Sequence, residues 1–281
     1  MLIDGKKIAA ELSAQLTERI GALSAPPGLA IVVATADESA AWYVRSLVRT
    51  AEKLGIAAHR IDLPADADAA TIRAALGEVS VAPGVHGVIC QTPLPAGLRL
   101  EDVGPAIHPA VDVDGANPIS LGLLASGSSA AFAPATAAAV LRILDHEGVE
   151  LSGRRAVVIG RSNVVGKPAA LMLLARHATV TICHSRTPDL AAVAREADIL
   201  VAAVGRPRLV TADFVKPGAV VIDVGTNATP EGGLVGDVDT AAVEQVAAAI
   251  TPVPGGVGPV TTMLLMANVV TVLERRVSAV R

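Results

Sequence analysis

The chain is almost without aromatic residues: Trp42, Tyr43, Phe132 and Phe214 are the only four among 281. Its core must therefore be built from Ala, Val, Leu and Ile, and binding of single-stranded nucleic acid on stacked aromatic platforms is not expected. Cysteine is equally scarce. Cys90 and Cys183 lie far apart with no CxxC pair or Cys/His cluster around them, so neither a metal site nor a disulfide framework is expected. Excess charge is missing too: the net charge of −4 and pI near 5.9 argue against a protein that coats DNA. The opening residues, MLIDGKKIAAELSAQL, mix acid and base and lack the apolar stretch of a signal peptide. The long uncharged stretches 115–141 and 245–273 are broken by Pro, Gly and polar residues. Neither offers the about 20 unbroken apolar residues of a membrane span. A cytoplasmic enzyme with no nucleic-acid or membrane partner is expected.

What is present is apolar and alternating. Hydrophobic residues make up 52% and charged residues 18%, with a mean hydropathy of +0.53. That composition suits parallel strands buried on both faces. Strands are expected at Leu29–Val33, Ala58–Leu63 and Val85–Cys90, with helices at Ser39–Leu54 and Ala69–Leu76 between them. After an Ala-rich helix near Ala135–Asp145, a second series follows at Ala156–Ile159, Val180–Cys183, Ile199–Val204 and Val220–Val224. Helices centred on Ala169–Leu174 and Ala191–Ala194 separate its first three strands, and a last helix covers Pro259–Arg276. Two such series imply two α/β units with parallel sheets and right-handed crossovers.

The second series opens on Arg155-Ala-Val-Val-Ile-Gly160-Arg-Ser-Asn-Val-Val-Gly166-Lys-Pro168, a strand, a glycine turn and a helix start. Glycines let a backbone approach a pyrophosphate, whose charge then meets the helix N-terminus. The spacing departs from GxGxxG, because Ser162 stands at the second glycine and Gly166 comes one residue late; a tight βα turn with no ligand stays open. About 20 residues on, where an NAD enzyme places a carboxylate on the ribose, the chain has His184-Ser185-Arg186-Thr187. Ser185, Arg186 and Arg161 could accept a phosphate there, which favours NADP over NAD. The six histidines show no ligand spacing, and Ser162 does not sit in a GxSxG nucleophile elbow.

Gln91-Thr-Pro-Leu-Pro95 follows a buried strand, where open α/β sheets bind ligands. Pro252-Val-Pro-Gly-Gly-Val-Gly-Pro259 packs three prolines and three glycines before the last helix. With DGKKIA near the start, YV at 43–44, DVDG at 112–115, GRSNVVGKP at 160–168, CHS at 183–185, DVGTN at 223–227 and GDVD at 236–239, the chain resembles the bifunctional methylenetetrahydrofolate dehydrogenase/methenyltetrahydrofolate cyclohydrolase family over nearly its whole length. The resemblance implies a two-domain α/β fold: an N-terminal α/β catalytic domain over residues 1–138, completed by the C-terminal helix 259–281, and a Rossmann-like NADP-binding domain over 139–258, with a cleft between them. It also implies a homodimer. Tyr43 would pack against the folate, Gln91 would sit beside the reacting one-carbon bridge, and Asp114 would hold the pterin amino edge; these three are the catalytic candidates. Pro93, Pro254 and Gly255 would line the folate site. Gly160, Arg161, Ser162, Val165 and Gly166 would cradle NADP, with Ser185 near its 2′-phosphate and Thr226 near its nicotinamide half.

The chain breaks the family pattern at one chemically important place. The family carries a lysine four residues after the tyrosine, and here the run Tyr43-Val-Arg-Ser-Leu47 puts Leu47 there. Val111 and the run Ala135-Thr136-Ala137 are lesser departures, where the family commonly has a lysine before DVDG and CTP. On a helix, Tyr43, Ser46, Leu47 and Thr50 share a face, and hydroxyls are weak acids and bases. Hydride removal from the methylene bridge needs alignment but no proton transfer, whereas opening the methenyl ring with water does need it. An NADP-dependent dehydrogenase with weak or absent cyclohydrolase activity is expected. A bifunctional enzyme using another base, a paralogue serving a specialised pathway, and a non-catalytic folate- or NADP-binding protein are the alternatives.

Overall fold

The computed structural model describes residues 1–279; positions 280 and 281 of the expected C-terminal segment lie outside them. The chain divides into two compact units, one made of Leu12–Ala135 with the C-terminal residues from Thr262, the other of Met1–Glu11 with Thr136–Thr261. The divisions fall inside three helices: α1 (Gly5–Gly21), α6 (Ala135–His146) and α10 (Val257–Ala279).

The first unit alternates β1 (Gly28–Val33), α2 (Glu38–Leu54), β2 (Ala57–Asp62), α3 (Ala69–Val81) and β3 (Gly87–Cys90), followed by the short α4 (Leu100–Val103) and α5 (Pro118–Ala125). The three strands form a parallel sheet in the order β2-β1-β3. The helices start where the sequence supplies caps. The Asp37 carboxylate accepts from Ala40 N at 2.8 Å, and Asp68 accepts from Thr71 N at 2.8 Å. Gly55, left-handed at φ 84°, ends α2.

The second unit runs β4 (Arg155–Ile159), α7 (Gly166–Ala175), β5 (Thr179–Cys183), α8 (Leu190–Ala194), β6 (Ile199–Ala202), β7 (Val220–Asp223), the two-residue strands β8 (Asn227–Ala228) and β9 (Leu234–Val235), α9 (Thr240–Val243) and β10 (Ala249–Ile250). Five of these strands form a parallel sheet ordered β10-β7-β6-β4-β5. The chain goes from β4 outward to β5, then crosses to the other side of β4 to lay down β6. The strand order therefore reverses between β4 and β6, where doubly wound sheets open a crevice at their carboxyl ends. The core of this unit is aliphatic, with Val157, Ile159, Leu200, Val221 and Ile250 at its centre.

Burial corrects one expectation. β1, β3 and β6 are buried along their whole length, but β2 and β5 are largely not. Both lie at sheet edges; the other two edge strands, β3 and β10, are buried and have their outer flanks bridged by Asp112 and Leu2. The helix α10 has the length and apolarity of a membrane span, with mean hydropathy 1.5, yet half of that stretch is buried in the protein. Val260, Met266, Val269 and Val270 are wholly inaccessible, as in a core helix.

Candidate active site

In the first unit the expected folate residues come from three elements. Gln91 directly follows β3, and its backbone N–H donates to Val32 O at 2.9 Å, so pairing with β1 continues one residue past the strand. Its side chain is buried and donates its amide to the Thr92 carbonyl. Pro93, exposed, follows a cis peptide bond. Asp114 lies in a loop built around Asp112. The Asp112 carboxylate, wholly buried, accepts from Ala116 N and Asn117 N at 2.9 Å each and from Ser120 Oγ at 2.5 Å. From α10, the Asn268 side chain donates to Val113 O at 2.9 Å and to Ala133 O at 3.2 Å. The loop presenting Asp114 is thus fastened at both ends.

The environment of Asp114 is poor in compensating charge. Burial first, then the neighbouring Asp112 carboxylate, push its carboxyl up to about 7, against one N–H donated by Ala135. Tyr43, on α2, feels the Asp114 carboxylate. Desolvation and then the charge of Asp114 push its phenol up to about 12, although the residue is 38% exposed.

One turn on from Tyr43, Leu47 is packed into the interior at 1% exposure. Thr50 is committed to its own helix, its hydroxyl donating to Ser46 O at 2.8 Å. Arg45 and Arg49 are exposed. Of the chain's five lysines, Lys53 alone belongs to this unit. It lies ten residues past Tyr43, about 15 Å further along α2.

The remaining candidates belong to the second unit. Gly160 ends β4 at φ 128°, and a Cβ there would stand 2.1 Å from Ala203 O, just past β6. A Cβ on Gly166 would stand 2.2 Å from Gly160 O. Glycine is needed at both positions for the turn to close. Within it, Ser162 Oγ accepts from Val165 N at 3.1 Å and Ser162 O from Lys167 N at 3.1 Å, while Arg161 and Ser162 stay exposed. Beyond β5, His184 Nδ1 accepts from Arg186 N at 3.1 Å and the Thr187 hydroxyl accepts from His184 N at 2.9 Å. This turn leaves Ser185 and Arg186 exposed, with no carboxylate among its residues. The strand-order reversal, the two obligate glycines and these phosphate-compatible groups fit an NADP molecule. Thr226 is exposed just past β7. Pro254 and Gly255 lie in this unit too, Gly255 at φ 103° beside the Lys6 stem.

The motifs DVGTN and GDVD supply two further carboxylates to which the sequence alone assigns no work. Asp223 and Asp237 are both buried, and burial pushes Asp223 up to about 6. Among the described residues no cluster of His, Cys, Asp and Glu could hold a metal.

A doubly wound sheet with a glycine turn at its switch point, joined in one chain to a second α/β unit bearing a desolvated acid and a tyrosine, defines a dinucleotide-dependent dehydrogenase class. Residues 3–114 match the profile of the tetrahydrofolate dehydrogenase/cyclohydrolase catalytic domain, and residues 134–277 that of its NAD(P)-binding domain. The chain belongs to the tetrahydrofolate dehydrogenase/cyclohydrolase family. The bifunctional protein FolD of Nocardia farcinica is 56% identical over 276 residues, covering 97% of each chain. Among solved structures, the FolD methylenetetrahydrofolate dehydrogenase/cyclohydrolase of Campylobacter jejuni superposes with a TM-score of 0.94 at 36% identity, over 98% of this chain and 99% of that one. The Trypanosoma brucei enzyme, complexed with NADP cofactor and an inhibitor, gives 0.93 at 36% identity, over 99% and 98%.

Proposed function

We propose that the protein oxidises methylenetetrahydrofolate to methenyltetrahydrofolate with NADP, and that its cyclohydrolase activity is weak or absent. Bound NADP supplies the acceptor for the hydride that leaves the methylene bridge. The substrate then carries a cation shared between two nitrogens, and no proton has moved. The chain's part in that step is to bind and align. Asp114, as carboxylate, would accept from the donors of the pterin amino edge. Tyr43 would pack its ring on the folate, and Gln91 would sit beside the bridge. Pro93, Pro254 and Gly255 would line the remainder. Gly160, Arg161, Ser162, Val165 and Gly166 would hold the pyrophosphate half of NADP, Ser185 its 2′-phosphate and Thr226 the nicotinamide half. We further place the protein in the cytoplasm as a homodimer.

Hydrolysis of the methenyl product is a different demand. Water must add to the bridge carbon and lose a proton, and the ring opens only as one nitrogen leaves. General acid–base help is typically worth about 10²–10⁴-fold in such a step. The observation that carries the proposal is the packing of Leu47: the position one turn from Tyr43 is core, and the only lysine of that unit lies about 15 Å along the helix from the tyrosine. A second reading, full bifunctionality, is favoured by Asp114, whose carboxyl at about 7 could exchange a proton near neutrality.

Two assays on one preparation test this. Methylenetetrahydrofolate with NADP should give NADPH, while methenyltetrahydrofolate should decay hardly faster than in buffer. Hydrolysis that keeps pace with oxidation would overturn the proposed loss. If hydrolysis at saturating substrate disappears in Asp114→Asn while oxidation persists, the second reading holds.

A further inference from the structure

Two buried carboxylates of the second unit interlock at the carboxyl ends of β6 and β7. Asp237, wholly inaccessible, accepts from Val204 N at 2.6 Å and Gly205 N at 3.0 Å on one oxygen. Its other oxygen accepts from Arg206 N at 2.8 Å and from the Asn227 side chain at 3.0 Å. Asp223, at 1% exposure, holds Asp237 in turn, accepting from Asp237 N at 3.0 Å, Gly225 N at 2.9 Å and Val238 N at 2.9 Å. The glycines of both motifs make room. A Cβ on Gly225 would stand 2.2 Å from Asp237 Cγ, and one on Gly236 would stand 1.8 Å from Asp223 Oδ2. No lysine or arginine side chain pairs with either carboxylate among the described residues.

Three successive backbone N–H groups converging on one anion, with Gly205 at φ 65° between them, form an anion-binding nest. This nest follows β6 directly, on one side of the strand-order reversal. Left open, it would compete with the Gly160–Gly166 turn for a pyrophosphate. Here it is filled from within by Asp237. The loop is thereby closed to phosphate and left to the part of a dinucleotide that carries none. Through Asn227, the same carboxylate also ties down the β7 loop that carries Thr226. We propose that Asp237 is a positioning residue for the nicotinamide half of the NADP site, fixing Val204–Arg206 and Asn227 together while touching neither cofactor nor substrate. The assignment rests on the reading of the chain as an NADP enzyme.

Binding of NADP and of adenosine 2′,5′-bisphosphate, which carries only the adenosine half, separates positioning from general damage. In Asp237→Asn, one oxygen becomes a donor facing N–H groups. NADP affinity should fall about tenfold, because the hydrogen bond lost from the carboxylate loosens the 204–206 loop that binding must then reorder, while the bisphosphate changes less than about twofold. The swapped pair Asn227→Asp/Asp237→Asn restores the 227–237 bond with its polarity reversed and leaves an oxygen for Val204 and Gly205. It should recover most of the NADP affinity, and it stands in if the single variant does not fold. Parallel loss of both ligands, unchanged NADP affinity in the single variant, or a folded swap without recovery would overturn the assignment. A wild-type chain that binds neither probe overturns the NADP reading and this inference with it; one that binds both, with the variants behaving alike, overturns this inference alone.

Discussion

Asp114 is held at a cost to the fold, and the cost depends on pH. Its carboxyl is raised from 3.8 to about 7 in the folded chain, so between those values the native state binds more protons than the unfolded one. Stability therefore falls as pH rises through that window. Each tenfold change in proton affinity is worth about 1.4 kcal/mol. Asp114→Asn should accordingly stabilise the protein at pH 8, by an amount on the order of a few kcal/mol that shrinks steadily toward pH 4. Urea unfolding of both proteins across that range measures the difference; a gain that is the same at every pH would show that burial does not strain this carboxyl. Function runs the other way, since the pterin edge offers donors and the carboxylate is the acceptor. KM for methylenetetrahydrofolate in the wild type should fall as pH rises from 6 to 8, and the variant should lack that dependence. Leu47 makes the complementary case. At 1% exposure its truncation to Ala should cost about 2–5 kcal/mol, whereas Leu47→Met should cost less than about 1.5 kcal/mol. Neither should change the ratio of the two activities, because neither adds a proton carrier.

Among the secondary elements, the turn between β4 and α7 shows how tightly the cofactor half is made. Gly166 needs no positive φ, yet its missing Cβ would collide with the carbonyl of Gly160. Gly166→Ala should destabilise by about 1–3 kcal/mol through overpacking and weaken NADP binding as the turn opens. Gly122, inside α5 with nothing within 4 Å of a Cβ, is the control. Gly122→Ala should stabilise by about 0.4–1 kcal/mol and leave NADP binding alone. Thermal unfolding with and without NADP reads both effects. The same elements show what a sequence can and cannot disclose. Runs such as Leu29–Val33 and Ala156–Ile159 are legible because apolar stretches meet glycines at Gly28 and Gly160, and the first is followed by the capping acid Asp37. The helix over residues 5–21 escapes the strand-and-helix alternation, although Ile8, Leu12 and Leu16 recur at helical spacing and are buried. The exposure of β2 and β5, against the burial of the edge strands β3 and β10, depends on which flanks distant segments such as Leu2 and Asp112 cover, which no local pattern encodes. The Asp223–Asp237 interlock is invisible for a related reason, its carboxylates being 14 residues apart and joined only by the folded β7–β9 segment. Leu47, by contrast, stands out in the sequence because the residues around it keep the family pattern.

For the whole molecule, the two edges of the five-stranded sheet are treated differently. The edge at β10 is covered by the chain's own beginning: Ile250 N donates to Met1 O and Ile3 N to Ile250 O, both at 2.9 Å. The opposite edge, β5, has β4 on one flank and, among the described residues, no strand on the other. Thr179 N donates inward to Arg154 O at 2.8 Å, and Cys183 O accepts inward from Gly160 N at 2.9 Å. In a parallel pair the residues bonded to the neighbour alternate, so Val180 and Ile182 turn their backbone groups outward. Ile182 is 43% exposed, and Leu174 on α7, in the same βα unit, is 58% exposed. An open, apolar edge without lysine or proline invites pairing with a second strand, and the strand available in every copy is β5 itself. Two antiparallel β5 strands related by a two-fold axis would satisfy the outward groups of both chains at once. Val180→Pro deletes one outward donor while sparing the inward ladder, and Ile182→Lys puts a charge on the same edge. Sedimentation should show a dimer for the wild type and a shift toward monomer for either variant. A wild type that sediments as a monomer at high concentration would sink the proposed homodimer, and a dimer unmoved by both substitutions would place its interface away from β5.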